Sequence, residues 1–489
     1  MTDTSDLYAK ATEAHKSGDL QTAHGLFSEC VRLAPQVSAH HLALALTATA
    51  IAVKCEPLKQ QAVLHAQQAA QLEPTVLGNW IGLGEISLNC DKFPEAIAAF
   101  EHVLTVDEKN ARVWGLCGFA YAKIGNQKKA QEFYEKAVDI DHELGDIHFL
   151  LSCLFMNDDF NPTKQAFHGE RGFLAKRPAK LAVESCWNAA HGFLTIGEFE
   201  KGWKYFECRH NENLTNIGQL RPAQRFSQPM WKGEENCTVR IHHEMGLGDA
   251  FFMARYLNAA AKKAKIIFEC QPSMIDLMRY NFPEITCIKY GEQSEGFDYH
   301  LPMMSLPHVL GTKFLWERNY LKANPENVSE WKSKLHLAHN KLNVGIAWSA
   351  GKNSWNAGNH ETHKRKSVPF ESLASLWKIQ GVNFISLQVG NDEKFPNVGI
   401  KDFSDTAAIV SLLDLVIVVD SAVANLAGAM GANTWLMDRW DHDWRWTSDS
   451  LFPSVKVFRQ TKPGDWGHVI ERINVELEEF HDKMRHHAS

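Results

Sequence analysis

Trp80 and Trp114, Gly84 and Gly118, Ala96 and Ala130, Phe100 and Tyr134, and Val103 and Ala137 are each separated by 34 residues. Five aligned pairs at one spacing commit this part of the chain to stacked, similar units. In a helix-turn-helix unit of this length, large residues at positions 4 and 24 fill the space left by glycine or alanine at 8 and 20. A weaker copy runs through Gly18, Ala23, Phe27 and Pro35, and a degenerate one ends at Pro74, keeping Ala62 and Ala69. The register blurs after Asp141. Cys186 to His210 reads again as a helix pair, with Gly197, Gly202 and Phe206 at turn and packing positions. Residues 1–210 are therefore predicted to form an all-α solenoid domain.

Trp-x-x-Leu-Gly at 80–84, followed by Ala96 and Phe100, is the tetratricopeptide pattern. Such stacks hold protein segments in a concave groove, so a protein partner is expected; the alternative is an irregular helical bundle with no ligand. The chain has 489 residues, enough for about three domains. Lys plus Arg number 51 against 58 for Asp plus Glu, a net charge of -7, which argues against a dedicated nucleic-acid binder. The longest nearly apolar run, Leu42 to Val53, is shorter than the roughly 18 residues of a membrane span. Met1 to Lys10 lacks the basic-then-apolar order of a secretory signal, so a cytoplasmic protein without a membrane span is expected. The ten cysteines approach no closer than 17 positions, which excludes Cys-x-x-Cys metal and redox motifs and reads them as small buried residues.

Residues 211–236, with Pro222, Pro229 and Gly233, read as a linker. Beyond it strands and helices alternate. Strands are predicted at Val239 to His243, Lys265 to Cys270, 343–348, 383–388 and 414–420, the last apolar enough to be buried on both faces. Helices are predicted at Phe251 to Ala264, Ser273 to Tyr280, Glu371 to Lys378, Thr406 to Leu412 and Ala422 to Met430. This alternation implies two parallel, doubly wound α/β domains, over 237–335 and 340–489, with a joining segment around 312–340. Ligands of such sheets lie beyond the carboxyl ends of the strands.

Three motifs fall at such ends. Glu244-Met245-Gly246-Leu247-Gly248-Asp249 follows a strand and opens a helix, where Gly246 and Gly248 allow close backbone approach. Phe251 stands where a dinucleotide fingerprint needs its third glycine, which disfavours a nicotinamide enzyme. Asp249 reads either as a helix cap or as a general base. His363-Lys364-Arg365-Lys366-Ser367 is either a solvated charge run or a diphosphate grip. Asp420-Ser421-Ala422-Val423-Ala424-Asn425 couples a buried strand to a small-residue helix with Ser421 as natural N-cap; tight packing and phosphate binding can coexist there. Asp441-His442-Asp443 has an Asp-x-Asp spacing, yet no metal is assigned. Trp435, Trp440, Trp444 and Trp446 around it are either core or a stacking wall. His242 and His243 alternate on a strand and read as packing residues.

FLTIGEFEKGWKYFECR from Phe193, HEMGLGDAFFMARYL from His243, DYHLPMMSLP from Asp298, VGIAWSAG from Val344, and VVDSAVANLAGAMG through DWRW resemble the bacterial tetratricopeptide-repeat glycosyltransferases. Their catalytic half is similar to the heptosyltransferases. The resemblance covers nearly the whole chain. It implies a GT-B fold of two Rossmann-like halves, acceptor side at 237–335 and donor side at 340–489, and a metal-independent transfer from a nucleotide-sugar co-substrate. It implies Asp249 as general base. Gly246, Gly248, Trp348, Ser349, Lys364, Arg365, Lys366, Ser367, Gln388, Asp420, Ser421 and Asn425 then fall at the donor site. The acceptor implied is a protein held by the repeats, of which flagellin is one type; a glycan acceptor and a non-transferring adaptor are the alternatives. Relatives commonly carry histidine where Asn425 stands, and asparagine keeps the hydrogen bonding without the charge.

Overall fold

The computed structural model describes residues 4–52, 55–175, 181–211, 226–294, 296–350, 364–389, 395, 398–447 and 451–488. The chain divides into two compact units, Met1–Asp159 with Phe167–Ser185, and Phe160–Ala166 with Cys186–Ser489.

Helices of the first unit pair in chain order: α1 (Ser5–Ser17) with α2 (Leu20–Leu33), α3 (Ser38–Ile51) with α4 (Glu56–Leu72), α5 (Leu77–Asn89) with α6 (Phe93–Val106), and α7 (Ala111–Lys123) with α8 (Gln127–Ile140). Next come α9 (Gly145–Asn157) and α10 (Pro162–Leu174), the latter beginning in the second unit. The small positions are obligatory. A Cβ on Gly84 would lie 2.3 Å from the Phe100 ring, and one on Gly118 2.8 Å from Tyr134. Ala96 and Ala130 are wholly buried between the same helices.

Position 4 has a second function, as a clamp on the turn that precedes it. Trp80 Nε1 donates to the Pro74 carbonyl at 3.0 Å, and Trp114 Nε1 to that of Glu108 at 2.8 Å. His41 Nε2 does the same to Pro35 at 2.9 Å and His148 Nε2 to His142 at 3.2 Å. A carbonyl only accepts, so both histidines carry the Nε2 proton. The register that fades in the sequence after Asp141 thus continues: His148, Ser152 and His168 stand 34 beyond Trp114, Gly118 and Tyr134.

In the second unit, two all-parallel sheets carry the fold. The first has β1 (Thr238–His242), β2 (Lys265–Cys270), β3 (Thr286–Lys289) and β4 (Tyr299–Pro302) in the order β3-β2-β1-β4. The second has β5 (Leu342–Ala347), β6 (Val382–Ser386), β7 (Leu415–Val419), β8 (Thr434–Asp438) and β9 (Val455–Arg459) in the order β6-β5-β7-β8-β9. Val239 lies opposite Ile266, and Val344 opposite Leu415. All five residues of β7 are buried, as its unbroken apolar run requires.

Three expectations change. First, α11 (Ala182–Thr195) and α12 (Phe199–Phe206), placed with the repeats by sequence, belong from Cys186 onward to the sheet unit. Phe199, Trp203 and Phe206, one helical face, share a core with Val239, Phe252 and Trp444. Second, Glu371–Lys378 is not an α-helix but two 3-10 turns, Phe370–Leu373 and Leu376–Lys378. Leu373 and Leu376, three apart and wholly buried, suit a three-residue turn. Third, the helix predicted to begin at Phe251 starts earlier, as α13 (Leu247–Met253), and breaks at the 3-10 turn Ala254–Tyr256. There Arg255 turns inward over the Phe252 ring, 3.7 Å from its centroid. Among the described residues no helix is long and apolar enough to cross a membrane. Six cysteines are buried, whereas Cys55 is exposed.

Candidate active site

β1 lies between β2 and β4, and β5 between β6 and β7, so each sheet has a switch point where the chain departs to opposite sides. Chain ends at such points leave a crevice beyond the carboxyl edge. The glycine loop leaves β1, Trp348-Ser349 leaves β5, and Asp420-Ser421 leaves β7.

The glycine loop is held under strain. Met245 has φ 64°, a region that side chains rarely adopt. Gly246 is the N-cap of α13, and Asp249, the third helical residue, reaches back so that its Oδ2 accepts from Gly246 N at 2.9 Å. Asp249 therefore caps the turn as one of its two sequence readings expected, though from inside the helix. Its other oxygen, Oδ1, accepts from Arg445 Nη1. Arg445 Nη2 meets Asp443 Oδ2 at 3.1 Å, and Asp443 Oδ1 accepts from Arg445 N at 3.1 Å. Burial works against the Arg445 charge, but Asp443, Asp249 and Asp420 outweigh it and hold the guanidinium above its ordinary range.

α13 crosses the helix Ala422–Met430 so closely that a Cβ on Gly248 would sit 2.9 Å from Asn425 Nδ2. Ser421 caps that helix through Oγ to Ala424 N at 3.5 Å. Asn425 is buried, and its Nδ2 donates to Ser421 O at 3.0 Å. Its Oδ1 makes no hydrogen bond among the described residues. Asp420 pairs with Lys366 Nζ at 2.5 Å and accepts from Trp446 Nε1 at 2.9 Å. Burial would raise its pKa, but the Lys366 and Arg445 charges outweigh it and keep Asp420 well below the usual carboxylate range. Next to it, burial pushes Asp438 up to about 7 despite Arg459 Nε at 2.9 Å.

A second group forms beside β5 and β6. Ser349 N donates to Gln388 Oε1 at 3.0 Å, Ala350 N donates to Ser367 Oγ at 3.3 Å, and the Ser349 and Ser367 hydroxyls lie 3.4 Å apart. Trp348 departs from its predicted donor-site place: it is 4% exposed, packed edge-on against Phe370, and serves the core. Arg365 turns to Asp441 at 2.6 Å, and Lys364 is exposed. His363, Arg221 and Pro222 lie outside the described residues. The Asp441-His442-Asp443 carboxylates are thus committed to arginines. Trp435, Trp444 and Trp446 are buried core, so of the four tryptophans only Trp440 keeps the wall reading open.

The sequence reading passed over two arginines. Arg445 sat in a motif whose tryptophans drew the attention. Arg209, in the 3-10 turn Glu207–His210 that follows α12, carried no spacing signal. Its guanidinium donates from Nε and Nη2 to Glu244 at 2.7 and 3.1 Å, from Nη2 to Ser305 Oγ at 2.7 Å, and from Nη1 to Glu207 at 2.7 Å. Burial would raise the Glu207 pKa, but His210 and Arg209 overcome it and hold it at about 2. The helix pair thereby clamps Glu244, where the glycine loop begins.

Comparison with known proteins agrees with the repeats. The tetratricopeptide repeat family model matches residues 111–143. Protein FlbA of Caulobacter vibrioides is 24% identical over 429 residues, covering 79% of this chain and 70% of that protein. The tetratricopeptide repeat-containing protein trd-1 of Caenorhabditis elegans is 21% identical over 111 residues, 22% of this chain and 14% of its own length. Among solved structures, a MamA double mutant covers 36% of this chain and 97% of its own at 21% identity and a TM-score of 0.32. Pseudomonas aeruginosa pilF covers 41% and 88% at 12% identity and 0.34. The chain carries tetratricopeptide repeats, units of protein interaction, ahead of a region of parallel sheets.

Proposed function

We propose that the protein is a metal-independent glycosyltransferase of GT-B type, acting in the cytoplasm on a protein acceptor presented by its repeats, flagellin-type acceptors included. The observation that supports this reading is the convergence, at the carboxyl edges of two parallel sheets, of one carboxylate from the first sheet's loop with cationic and hydrogen-bonding groups from the second. Asp249 comes from the first; Lys366, Ser421, Asn425 and Arg445 come from the second. In the reaction the acceptor O–H proton passes to Asp249 and the oxygen bonds to the anomeric carbon. The sugar–phosphate bond breaks, its electron pair leaving on the nucleoside diphosphate, whose charge the cations and the helix Ala422–Met430 stabilise. Asp249→Asn should bind nucleotide sugar and transfer none; intact-mass analysis of proteins captured by the repeats reads the transfer, and an unchanged mass increment with the variant would sink the assigned role.

A second reading is a non-transferring adaptor. It is favoured by the pairing of Arg365 with Asp441, Lys366 with Asp420 and Arg445 with Asp249, and by the uncharged Asn425. Calorimetry with ADP-, GDP- and UDP-linked sugars separates the two, since an adaptor binds none.

A further inference from the structure

In the resting protein both oxygens of Asp249 are engaged. Oδ2 takes the Gly246 amide at 2.9 Å and Oδ1 takes Arg445 Nη1. The pairing spans 196 residues and ties one sheet's loop to the other's, with the Arg445 side chain 8% exposed and that of Asp249 19%.

Arg445 also keeps a donor uncommitted. Its backbone N and Nη2 are held by the two oxygens of Asp443, each at 3.1 Å. Its Nε is buried and makes no hydrogen bond among the described residues. Three carboxylates face it, Asp249, Asp443 and Asp420, and Asp420 already holds Lys366 at 2.5 Å. His191 faces the same cluster from α11, and burial lowers its pKa, which leaves the imidazole neutral. A guanidinium prefers two parallel bonds to phosphate oxygens over a single contact to a carboxylate. A diphosphate entering beside Ser421 and Asn425 would compete with Asp249 for it.

We propose that Arg445 is a positioning and donor-binding residue: it cages Asp249 in the resting protein, and its guanidinium transfers to the diphosphate of an incoming nucleotide sugar, freeing Asp249 to accept the acceptor's proton. This rests on the transferase reading above. The device keeps the base silent until a donor is bound, so donor loading precedes proton removal. By reciprocity, whatever strengthens the Asp249–Arg445 pair weakens donor binding by the same factor.

The test is donor binding and hydrolysis by the full chain, with water in place of the acceptor and ADP-, GDP- and UDP-linked sugars as probes, read as calorimetric affinity and nucleoside diphosphate release. In Arg445→Gln the donor KM should rise about tenfold or more. Asp249→Asn takes away the charge that competes for the guanidinium, so it should bind donor about threefold or more tighter than wild type, and the gain should vanish in the Arg445→Gln background. A guanidinium that remains on Asp249 throughout the cycle would instead leave donor affinity the same with and without the Asp249 charge, which overturns the proposal, as does an unmoved KM. If Arg445→Gln does not fold, Arg445→Lys carries the test: it should raise KM less, and a wild-type KM in this variant also overturns the proposal. A wild-type protein that neither binds nor hydrolyses any probe overturns the transferase reading itself, whereas an active wild type with an unaltered Arg445→Gln overturns only the role of Arg445.

Discussion

The repeat unit and the sheet unit satisfy their polar groups over different ranges, and the difference predicts how each fails. In the repeats the decisive contacts are short in sequence: a ring N–H bonds six residues back at positions 41, 80, 114 and 148, and a glycine meets a ring 16 residues on. Among the described residues of the sheet unit four arginines, 209, 240, 255 and 445, are buried. Besides near neighbours they hold partners far along the chain: Arg209 reaches Ser305 across 96 residues and Arg445 reaches Asp249 across 196. A solenoid sums neighbouring contacts, so damage stays local. A unit knit by buried charges concentrates its stability in a few side chains.

Arg209→Ala should have the largest effect. It removes a guanidinium 1% exposed, leaving Glu244 without that cation and Glu207 with His210 alone. Breaking a buried pair from one side costs about 3–5 kcal/mol. Hydrogen exchange read by mass spectrometry should show protection lost through 226–447 and kept through 4–159. Equal loss in both regions would erase the contrast. Gly84→Val is the converse. Its Cβ would meet the Phe100 ring at 2.3 Å, and overpacking of this kind costs about 1–3 kcal/mol. Exchange should quicken in α5 and α6 while the sheet unit keeps its protection.

Acidity should separate the units next. Glu207, whose pKa is lowered to about 2 in the folded protein, contributes stability that is complete above its ordinary 4.5 and is lost as pH falls toward 2. Asp438, raised to about 7 by burial, acts in the other direction: its contribution is complete below 3.8 and drains as pH rises through 7. Asp438→Asn should therefore abolish a decline of about 2–3 kcal/mol in sheet-unit stability between about pH 5 and 8, seen in urea midpoints. A decline that persists in the variant would assign it to another group. In the repeats Glu29, Glu56 and Asp91 are exposed, and burial gives them no comparable slope.

The same distinction sets what the sequence could reveal. The 34-residue spacing announced the glycine–aromatic contacts because both partners recur at fixed distance. β7 was legible nearly to the residue because a buried parallel strand needs an unbroken apolar run, and β2 to the residue although Lys265 and Glu269 interrupt its apolar core. β4, Tyr299–Pro302, holds a histidine and a proline in four residues and gave no such run. The glycine loop and Asp420-Ser421 stood out in the sequence by their turn chemistry, and the basic loop by its charge. Arg445 was not, since nothing local to Trp444-Arg445-Trp446 encodes a carboxylate 196 residues earlier. Trp348 was misplaced because residue type cannot tell an edge that faces a ligand from one that faces the core.

Lys59→Ala, at the small end of the scale, tests whether the repeats depend on charge at all. Lys59 Nζ lies 2.6 Å from Asp91, as short a contact as many in the sheet unit, and Lys92 meets Glu56 at 2.7 Å beside it. Distance alone would rank these pairs with those of Arg209. Solvent decides otherwise. The Asp91 and Glu56 side chains are 68% and 64% exposed, so water already solvates each charge and little is gained by pairing them. Breaking the contact leaves nothing buried and uncompensated, unlike Glu207 beside an absent Arg209. Lys59→Ala should leave exchange in α4 and α5 at its wild-type rate in both low and high salt. A salt-sensitive acceleration there would show that the repeats, too, rest on ion pairs, and that the two units differ in the reach of their contacts along the chain rather than in their dependence on charge.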